Sequence, residues 1–187
     1  MTKVYFVRHA KPDFNVHDDL TRPLTGEGIR DSKKVTEFLL DKYITKVFSS
    51  PYRRAIDTIK DFAERAGLEI TIVDDFRERK IDSVWIEDFD EFSKKQWGNF
   101  KYKLSDGENL MEVQNRNIAA LQQILKNNID GSIVIGTHGT ALSTIINYYD
   151  KKFDYKEFQR IRYYMPFIVC ITFDGQADVK IEEFLLK

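Results

Sequence analysis

Histidines and arginines occur at points where the sequence predicts the end of a strand or the start of a helix. Arg8 and His9 follow the apolar run KVYFV, Arg54 comes soon after KVF, and His138 follows SIVIG. Side chains at the ends of strands are held by a rigid scaffold and are available to a ligand. One guanidinium group can donate hydrogen bonds to two anionic oxygens at once, and a neutral imidazole is a competent nucleophile. This set of residues therefore indicates chemistry on an anion that has several oxygens.

His138 has the most distinctive setting, because it lies in GTHGT. The glycines let backbone N–H groups approach a ligand, and the next helix presents its positive end there. Glu78 follows the strand EITIV by a few residues and adds a carboxylate. Taken singly, a histidine is more often structural and an arginine most often forms an ion pair. Burying these histidines, arginines and Glu78 together at one edge of the sheet would cost free energy unless a ligand paired with them. This cost favours the functional interpretation.

The elements that carry these residues alternate between strand and helix. The strands KVYFV, KVF, EITIV and SIVIG are separated by segments with helical spacing of apolar residues. Thr25 is the expected N-cap of the first helix and Ser50 that of the second, which Gly67 ends. The tail PFIVCITFDGQADVKIEEF predicts two strands joined at Asp174-Gly175. In such a fold, ligands bind beyond the carboxyl ends of the strands.

This alternation predicts an α/β fold with three α/β/α layers and a mainly parallel central sheet of about six strands with an antiparallel edge. A chain of 187 residues fits one domain, so we expect a single domain over residues 1–187. The segment 77–107 fits the alternation least. It predicts a lid-like insertion, with Trp85, Phe89 and Phe92 at helical spacing.

Composition excludes several classes of protein. The net charge of −1 gives no field that would attract nucleic acid or an anionic membrane, and no apolar stretch is long enough to span a bilayer. The single cysteine, Cys170, excludes an internal disulfide and a multi-thiolate metal cluster. The N-terminal residues do not form a signal peptide, so we expect a cytoplasmic location.

Five motifs occur in an order typical of one family: VRHAKPDFN, LTGEG, SSPYRRAIDT, the FRE of DDFRERK, and GTHGT. In these motifs the chain resembles the histidine phosphatase superfamily, the phosphoglycerate-mutase-like group, from residue 4 to about residue 143. The resemblance implies a phosphoglycerate-mutase-like version of the fold. It also implies phosphoryl transfer that needs no metal and no other cofactor.

The resemblance assigns roles to particular residues. It implies that His9 is the nucleophile that becomes phosphohistidine, that Glu78 protonates the leaving oxygen, and that His138 binds the phosphoryl group in flight. The residues that it implies bind phosphate are Arg8, Arg54, Asn15 and Gly139. Ala10 departs from the family, in which glycine is commoner after the nucleophile. Because alanine disfavours positive φ and adds a methyl group, we expect an effect on turnover rather than on the chemistry.

The resemblance leaves the reaction open between a phosphomonoester hydrolase and a phosphoglycerate mutase, because both use these residues. The short 77–107 segment favours hydrolysis of a small phosphorylated metabolite. A zinc or iron hydrolase built on the two histidines is disfavoured, because Arg8 and Arg54 would stand beside the metal cation. A phosphate-binding regulatory module without catalysis is the third alternative. The sequence determines neither the substrate nor the oligomeric state.

Overall fold

The computed structural model describes residues 1–83, 86–174 and 178–186, and a central sheet positions the candidate site. In this part of the chain the strands are β1 (Thr2–Arg8), β2 (Ile44–Ser49), β3 (Ile70–Ile72), β4 (Ser132–Thr137), β5 (Phe167–Asp174) and β6 (Asp178–Phe184). The predictions for Trp85 and for the turn residue Gly175 lie outside the described residues.

The six described strands form one sheet in the order β3-β2-β4-β1-β5-β6. β1 and β2 both run parallel to β4, and β3 runs parallel to β2. β5 is antiparallel to β1 and pairs with β6 as an antiparallel hairpin. The predicted mainly parallel sheet with an antiparallel edge is confirmed. Arg8 pairs with Thr137, so the residues that follow β1 and β4 meet at the same edge of the sheet.

Helices cover both faces of the sheet. The described helices are α1 (Gly26–Leu40), α2 (Arg53–Ala66), α3 (Phe89–Gly98), α4 (Leu110–Asn127), α5 (Gly139–Tyr149) and α6 (Tyr155–Ile161). Thr25 caps α1 as predicted, because its side chain accepts from Gly28 N. α6 is not assigned by the sequence analysis, although Asp154 caps it by accepting from two backbone N–H groups. None of the described helices is long and apolar enough to cross a membrane.

The expected N-cap of α2 is wrong. Tyr52 occupies the cap position and makes no side-chain cap hydrogen bond. The hydroxyl oxygen of Ser50 lies 2.7 Å from Nε2 of His138 and also accepts from the backbone N–H of Tyr52. Ser50 thus contacts the candidate site and does not occupy the cap position of α2. Gly67 ends α2 in the left-handed conformation, as predicted, with φ 66°.

Successive side chains of β1 point to opposite faces of the sheet, so the core is divided into two layers. Phe6 packs in one apolar cluster with residues of α4 and α5, whereas Val7 packs in a second cluster with residues of α1 and α2. Strands buried on both faces in this way give the predicted three-layer α/β/α architecture. The rigid central strands therefore fix where β1 and β4 end.

The 77–107 segment contains α3, which confirms the expected helix near Phe89 and Phe92. Phe92 and Trp97 are buried in it. The guanidinium group of Arg79 is also buried and lies over the rings of Phe89 and Phe92, at 5.4 and 5.1 Å from their centroids. The aromatic face of this helix therefore packs onto the protein. Its role as a lid stays a prediction.

Candidate active site

The two histidines singled out by the sequence lie together at the carboxyl ends of β1 and β4. Their ring centroids are 5.3 Å apart, and the ring planes are inclined by 60°. The backbone N–H of His9 donates to the carbonyl of Thr137, which continues the pairing of the two strands. Both side chains are buried, His138 completely. The parallel register of neighbouring strands thus brings together residues that are far apart in sequence.

The ring of His9 is held in one tautomer. Its Nδ1 lies 2.9 Å from the carbonyl oxygen of Ala10, and a carbonyl only accepts, so Nδ1 carries the proton. Nε2 therefore keeps its lone pair. Burial, followed by the charges of Arg54 and Arg8, lowers the pKa of His9 well below its usual value. His9 is therefore neutral at neutral pH, and the lone pair of Nε2 is available for bonding.

Two buried guanidinium groups flank this imidazole. Arg8 donates through Nη1 to the carbonyls of Ile161 (2.9 Å) and Tyr164 (3.2 Å). Arg54 donates to the carbonyl of Asp19 at 2.7 Å and lies 3.3 Å from its carboxylate. Burial lowers the pKa of Arg8 to about 10, so Arg8 stays charged at neutral pH. Burial also lowers the pKa of Arg54, while the charge of Asp19 opposes this shift. Two buried guanidinium groups beside a neutral imidazole make this a favourable place for an anion.

Neighbouring arginines in the RR dipeptide have different environments. Arg53 is exposed and forms an ion pair with Asp57 at 3.2 Å on the surface of α2. Arg54, one position on, is almost completely buried beside His9. The structure therefore places Arg54, the residue chosen from the motif, at the site.

His138 is held between the end of β2 and the start of α2. Its Nε2 contacts Ser50 Oγ at 2.7 Å, and the ring of Tyr52 lies 5.1 Å away between centroids. Its Nδ1 is buried and has no hydrogen-bond partner among the described residues. Burial, then the charge of Arg54, lowers the pKa of His138 well below its usual value. The contact with Ser50 and the packing against Tyr52 therefore fix the orientation of this imidazole.

Glu78 reaches the same edge from the loop after β3. One carboxylate oxygen accepts from the backbone N–H of Thr140 at 2.9 Å. The other accepts from Ala141 at 3.1 Å and from Arg79 at 2.8 Å. A carboxylate is stabilised at this end of α5 by the helix dipole. Glu78 therefore lies against the first turn that follows His138.

Gly139 and Ala10 both pack tightly beside the site. A Cβ atom at Gly139 would lie 3.1 Å from Cζ of Arg8, so glycine leaves room for the guanidinium group. Ala10 donates its backbone N–H to Thr58 Oγ1 at 2.9 Å. Among the described non-glycine residues, only Tyr43 and Asp130 have positive φ, so Ala10 adopts no strained conformation. The conformational reason for expecting an effect of Ala10 is wrong, and the effect of its methyl group stays a prediction.

Asn15 occupies an exposed loop position. Its side-chain and backbone nitrogens both donate to the carboxylate of Asp13, at 2.9 and 3.0 Å. The structure thus gives Asn15 contacts within its own loop and not to the buried histidines. Its role in binding phosphate stays a prediction.

The sequence analysis missed other residues of the site. Ser50 and Tyr52 lie in the quoted motif SSPYRRAIDT, and their nearness to Arg54 was the available signal. Arg22 pairs with Asp19 at 3.0 Å, and its charge contributes to the lowered pKa of His9. The loop DDLTRP carries no local pattern that predicts this contact.

No group of three or more histidine, cysteine, aspartate or glutamate side chains arranged to hold a metal ion occurs in the described ranges. The two histidines instead face arginines, and a metal cation between Arg8 and Arg54 would be repelled by both. The described residues thus fit an anion better than a metal ion.

This geometry defines an α/β protein with a buried anion site made of two histidines and two arginines. The profile of the histidine phosphatase superfamily (branch 1) matches residues 4–182. The chain belongs to this superfamily, and the resemblance read from its motifs is confirmed.

Particular relatives carry the names of phosphatases and of a mutase. A probable phosphoglycerate mutase, GpmB, of Yersinia pestis (strain Pestoides F) is 29% identical over 161 residues, which cover 79% of this chain and 74% of the relative. A mycobacterial glucosyl-3-phosphoglycerate phosphatase superposes with a TM-score of 0.79 at 16% identity, covering 99% of both chains. A mutant phosphoserine phosphatase of Entamoeba histolytica, in complex with phosphoserine, superposes with a TM-score of 0.79 at 19% identity. The match covers 99% of this chain and 97% of that structure. These structures share the phosphoglycerate-mutase-like fold.

Proposed function

We propose that this protein is a metal-independent phosphomonoester hydrolase that acts through a phosphohistidine at His9. The observation that carries the proposal is the hydrogen bond from Nδ1 to the Ala10 carbonyl, which directs the lone pair of Nε2 toward an anion site. The lone pair attacks phosphorus, and the bond from phosphorus to the ester oxygen breaks. Glu78 donates a proton to that oxygen, which leaves as the alcohol.

The second step returns the enzyme to its starting state. A water molecule attacks phosphorus and gives its proton to the Glu78 carboxylate, while the bond from phosphorus to Nε2 breaks. Inorganic phosphate leaves, and His9 is again neutral. Both oxygens of Glu78 accept backbone N–H groups in this structure, which holds the carboxyl group at the start of α5 for both steps.

Charge stabilisation is the task of the groups around the phosphoryl oxygens. In phosphoryl transfer the protein acts mainly by positioning and by electrostatic stabilisation. Arg8 and Arg54 supply two buried positive charges, and His138 supplies a hydrogen-bonding nitrogen. The helix start at Gly139 adds backbone N–H groups. Asn15 would join this set from its loop once a substrate is bound.

A phosphoglycerate mutase is the second candidate, and the 29% identity to GpmB favours it. Hydrolysis is preferred because a mutase has to keep a phosphorylated intermediate enclosed. Here the 77–107 segment offers little chain for that purpose. A non-catalytic regulatory module would not need both histidines, both arginines and Glu78.

Assays of the purified protein separate these functions. We expect inorganic phosphate to be released from nitrophenyl phosphate and from small phosphorylated metabolites, with full activity in the presence of a chelator. The His9→Ala variant should be inactive, and His17→Ala, on the exposed loop, should keep its activity. Isomerisation of phosphoglycerates faster than phosphate release would establish the mutase instead.

The proposal also includes the class of substrate and the location of the protein. A small phosphorylated metabolite fits the buried anion site better than a large partner, because the two arginines and the two histidines are buried in this structure. A cytoplasmic location stays a prediction from the sequence.

A further inference from the structure

Arg116 of α4 ties the loop that carries Glu78 to the body of the protein. Its Nη1 donates to the carbonyls of Asp75 at 2.6 Å and Arg77 at 2.8 Å. Its Nη2 reaches the carbonyl of Glu78 itself at 3.3 Å. The side chain is only 11% exposed. One guanidinium group thus donates hydrogen bonds to three carbonyls within four consecutive residues.

Glu108 completes the arrangement from just before α4. Its two oxygens accept from Nε and Nη2 of Arg116, at 2.8 and 3.0 Å, in a paired geometry. It also accepts from the backbone N–H of Lys80 at 2.9 Å and from Arg77 Nη2 at 3.4 Å. Burial raises the pKa of Glu108, but the hydrogen bonds from Arg116 and Lys80 outweigh it and hold that pKa below its usual value. Glu108 therefore stays charged.

We infer that Arg116 and Glu108 form a clamp that positions Glu78 for proton transfer. The clamp fixes the backbone on both sides of Glu78, at Arg77 and at Lys80. This inference rests on the proposed function, in which Glu78 is the acid. Arg116 and Glu108 are positioning residues, because their hydrogen bonds run to the loop, to one another and not to the reacting groups.

Physical reasons favour a positioning role over mere stabilisation. An ion pair that is partly buried often adds little net stability, because desolvation of the two charges offsets their attraction. Placement of a catalytic group, in contrast, is sensitive, since a shift of about 1 Å can cost about 10²-fold in rate. Three carbonyls within residues 75–78 are bound to one planar guanidinium group, so the loop has little freedom to shift.

Leaving groups of different acidity provide the test. Nitrophenol departs as an anion without help, whereas an alkoxide needs a proton from an acid. We expect Arg116→Lys and Glu108→Gln to lower kcat/KM, which reports the steps up to departure of the leaving group, by about 10²-fold for glycerol phosphate, while kcat/KM for nitrophenyl phosphate changes little. For nitrophenyl phosphate any loss in kcat should be matched by a fall in KM, because the second step, in which Glu78 takes a proton from water, is common to both esters. Glu78→Gln should show the same selectivity.

Controls make the result decisive. Arg65→Lys alters an arginine of a surface ion pair, with Glu37, and should leave both reactions unchanged. Thermal unfolding identifies a variant that fails to fold. If Arg116→Lys does not fold, the kinetics of Glu108→Gln decide the question. Equal losses of kcat/KM with both esters, or no loss with either, overturn the clamp. Absence of phosphate release by the wild-type protein would instead overturn the proposed function.

Discussion

At the scale of single residues, the chemistry depends on how the backbone and the neighbouring charges set the state of each side chain. In the proposed reaction His9 serves as nucleophile because the Ala10 carbonyl accepts the hydrogen bond from Nδ1–H and because burial keeps the ring neutral. Burial of the charges of Arg8 and Arg54 is offset only in part, by carbonyl oxygens and by Asp19, so a bound anion would stabilise both groups. The site is therefore arranged for a ligand that carries negative charge.

Gly139 provides a prediction at this scale. In Gly139→Ala the new methyl group would lie 3.1 Å from the Arg8 guanidinium group, which is buried and tied to two carbonyls. We expect Arg8 to be displaced and kcat/KM for a phosphomonoester to fall by about 10²-fold, as for a misplaced catalytic group.

Gly98 offers the matched control for this change. It is the last residue of α3, and a Cβ atom there meets nothing within 4 Å. Gly98→Ala should therefore keep wild-type kinetics. Wild-type kinetics in Gly139→Ala as well would show that Arg8 does not need the space that glycine leaves.

At the scale of elements, the parallel pairing of β1 with β4 does most to build the site. Because each histidine directly follows its strand, the register that pairs Arg8 with Thr137 fixes the distance between the two rings. α5 then offers its first backbone N–H groups to Glu78. α4 holds the Glu78 loop through Arg116.

The N-terminus of α4 yields a prediction about stability. Asn109 and Glu112 form a capping box, in which each side chain accepts from the other residue's backbone N–H. Asn109→Ala should lower the free energy of unfolding by about 1 kcal/mol, as measured by denaturant unfolding. Gln122→Ala, at an exposed position of the same helix, should stay within about 0.5 kcal/mol of the wild type. Equal stabilities of the two variants would contradict a working cap.

At the scale of the whole molecule, patterns within a strand or helix could be predicted and contacts between distant loops could not. The ends of β1 and β4 follow from apolar runs, so Arg8, His9 and His138 were found. Ser50 was misread as a helix cap, because nothing local shows that its hydroxyl meets His138 from 88 positions away. Arg116 was missed for the same reason, since the carbonyls of Asp75 and Arg77 that it binds lie about 40 positions before it.

The two buried histidines also make the stability of the fold depend on pH. Their pKa values are lowered in the folded state, whereas an unfolded histidine has a pKa of about 6.5. Below about pH 6.5 the unfolded chain binds protons that the native protein does not, so the free energy of unfolding falls. The slope contributed by each histidine is at most about 1.4 kcal/mol per pH unit.

Denaturant unfolding between about pH 7 and 5 measures this slope above the range in which carboxylates titrate. We expect the double variant His9→Asn, His138→Asn to show a clearly smaller slope than the wild type. The comparison uses slopes, so a general loss of stability in the variant does not affect it. Identical slopes would mean that the two imidazoles are not held neutral in the native protein.

Transfer of label to His9 tests the central claim most directly. The wild-type protein, quenched in alkali during turnover of a phosphomonoester labelled on phosphorus, should carry an acid-labile phosphoryl group on His9. His17→Ala should carry the same label, and His9→Ala should carry none. Turnover by the wild type without any label on His9, or a label that persists in His9→Ala, would contradict the account.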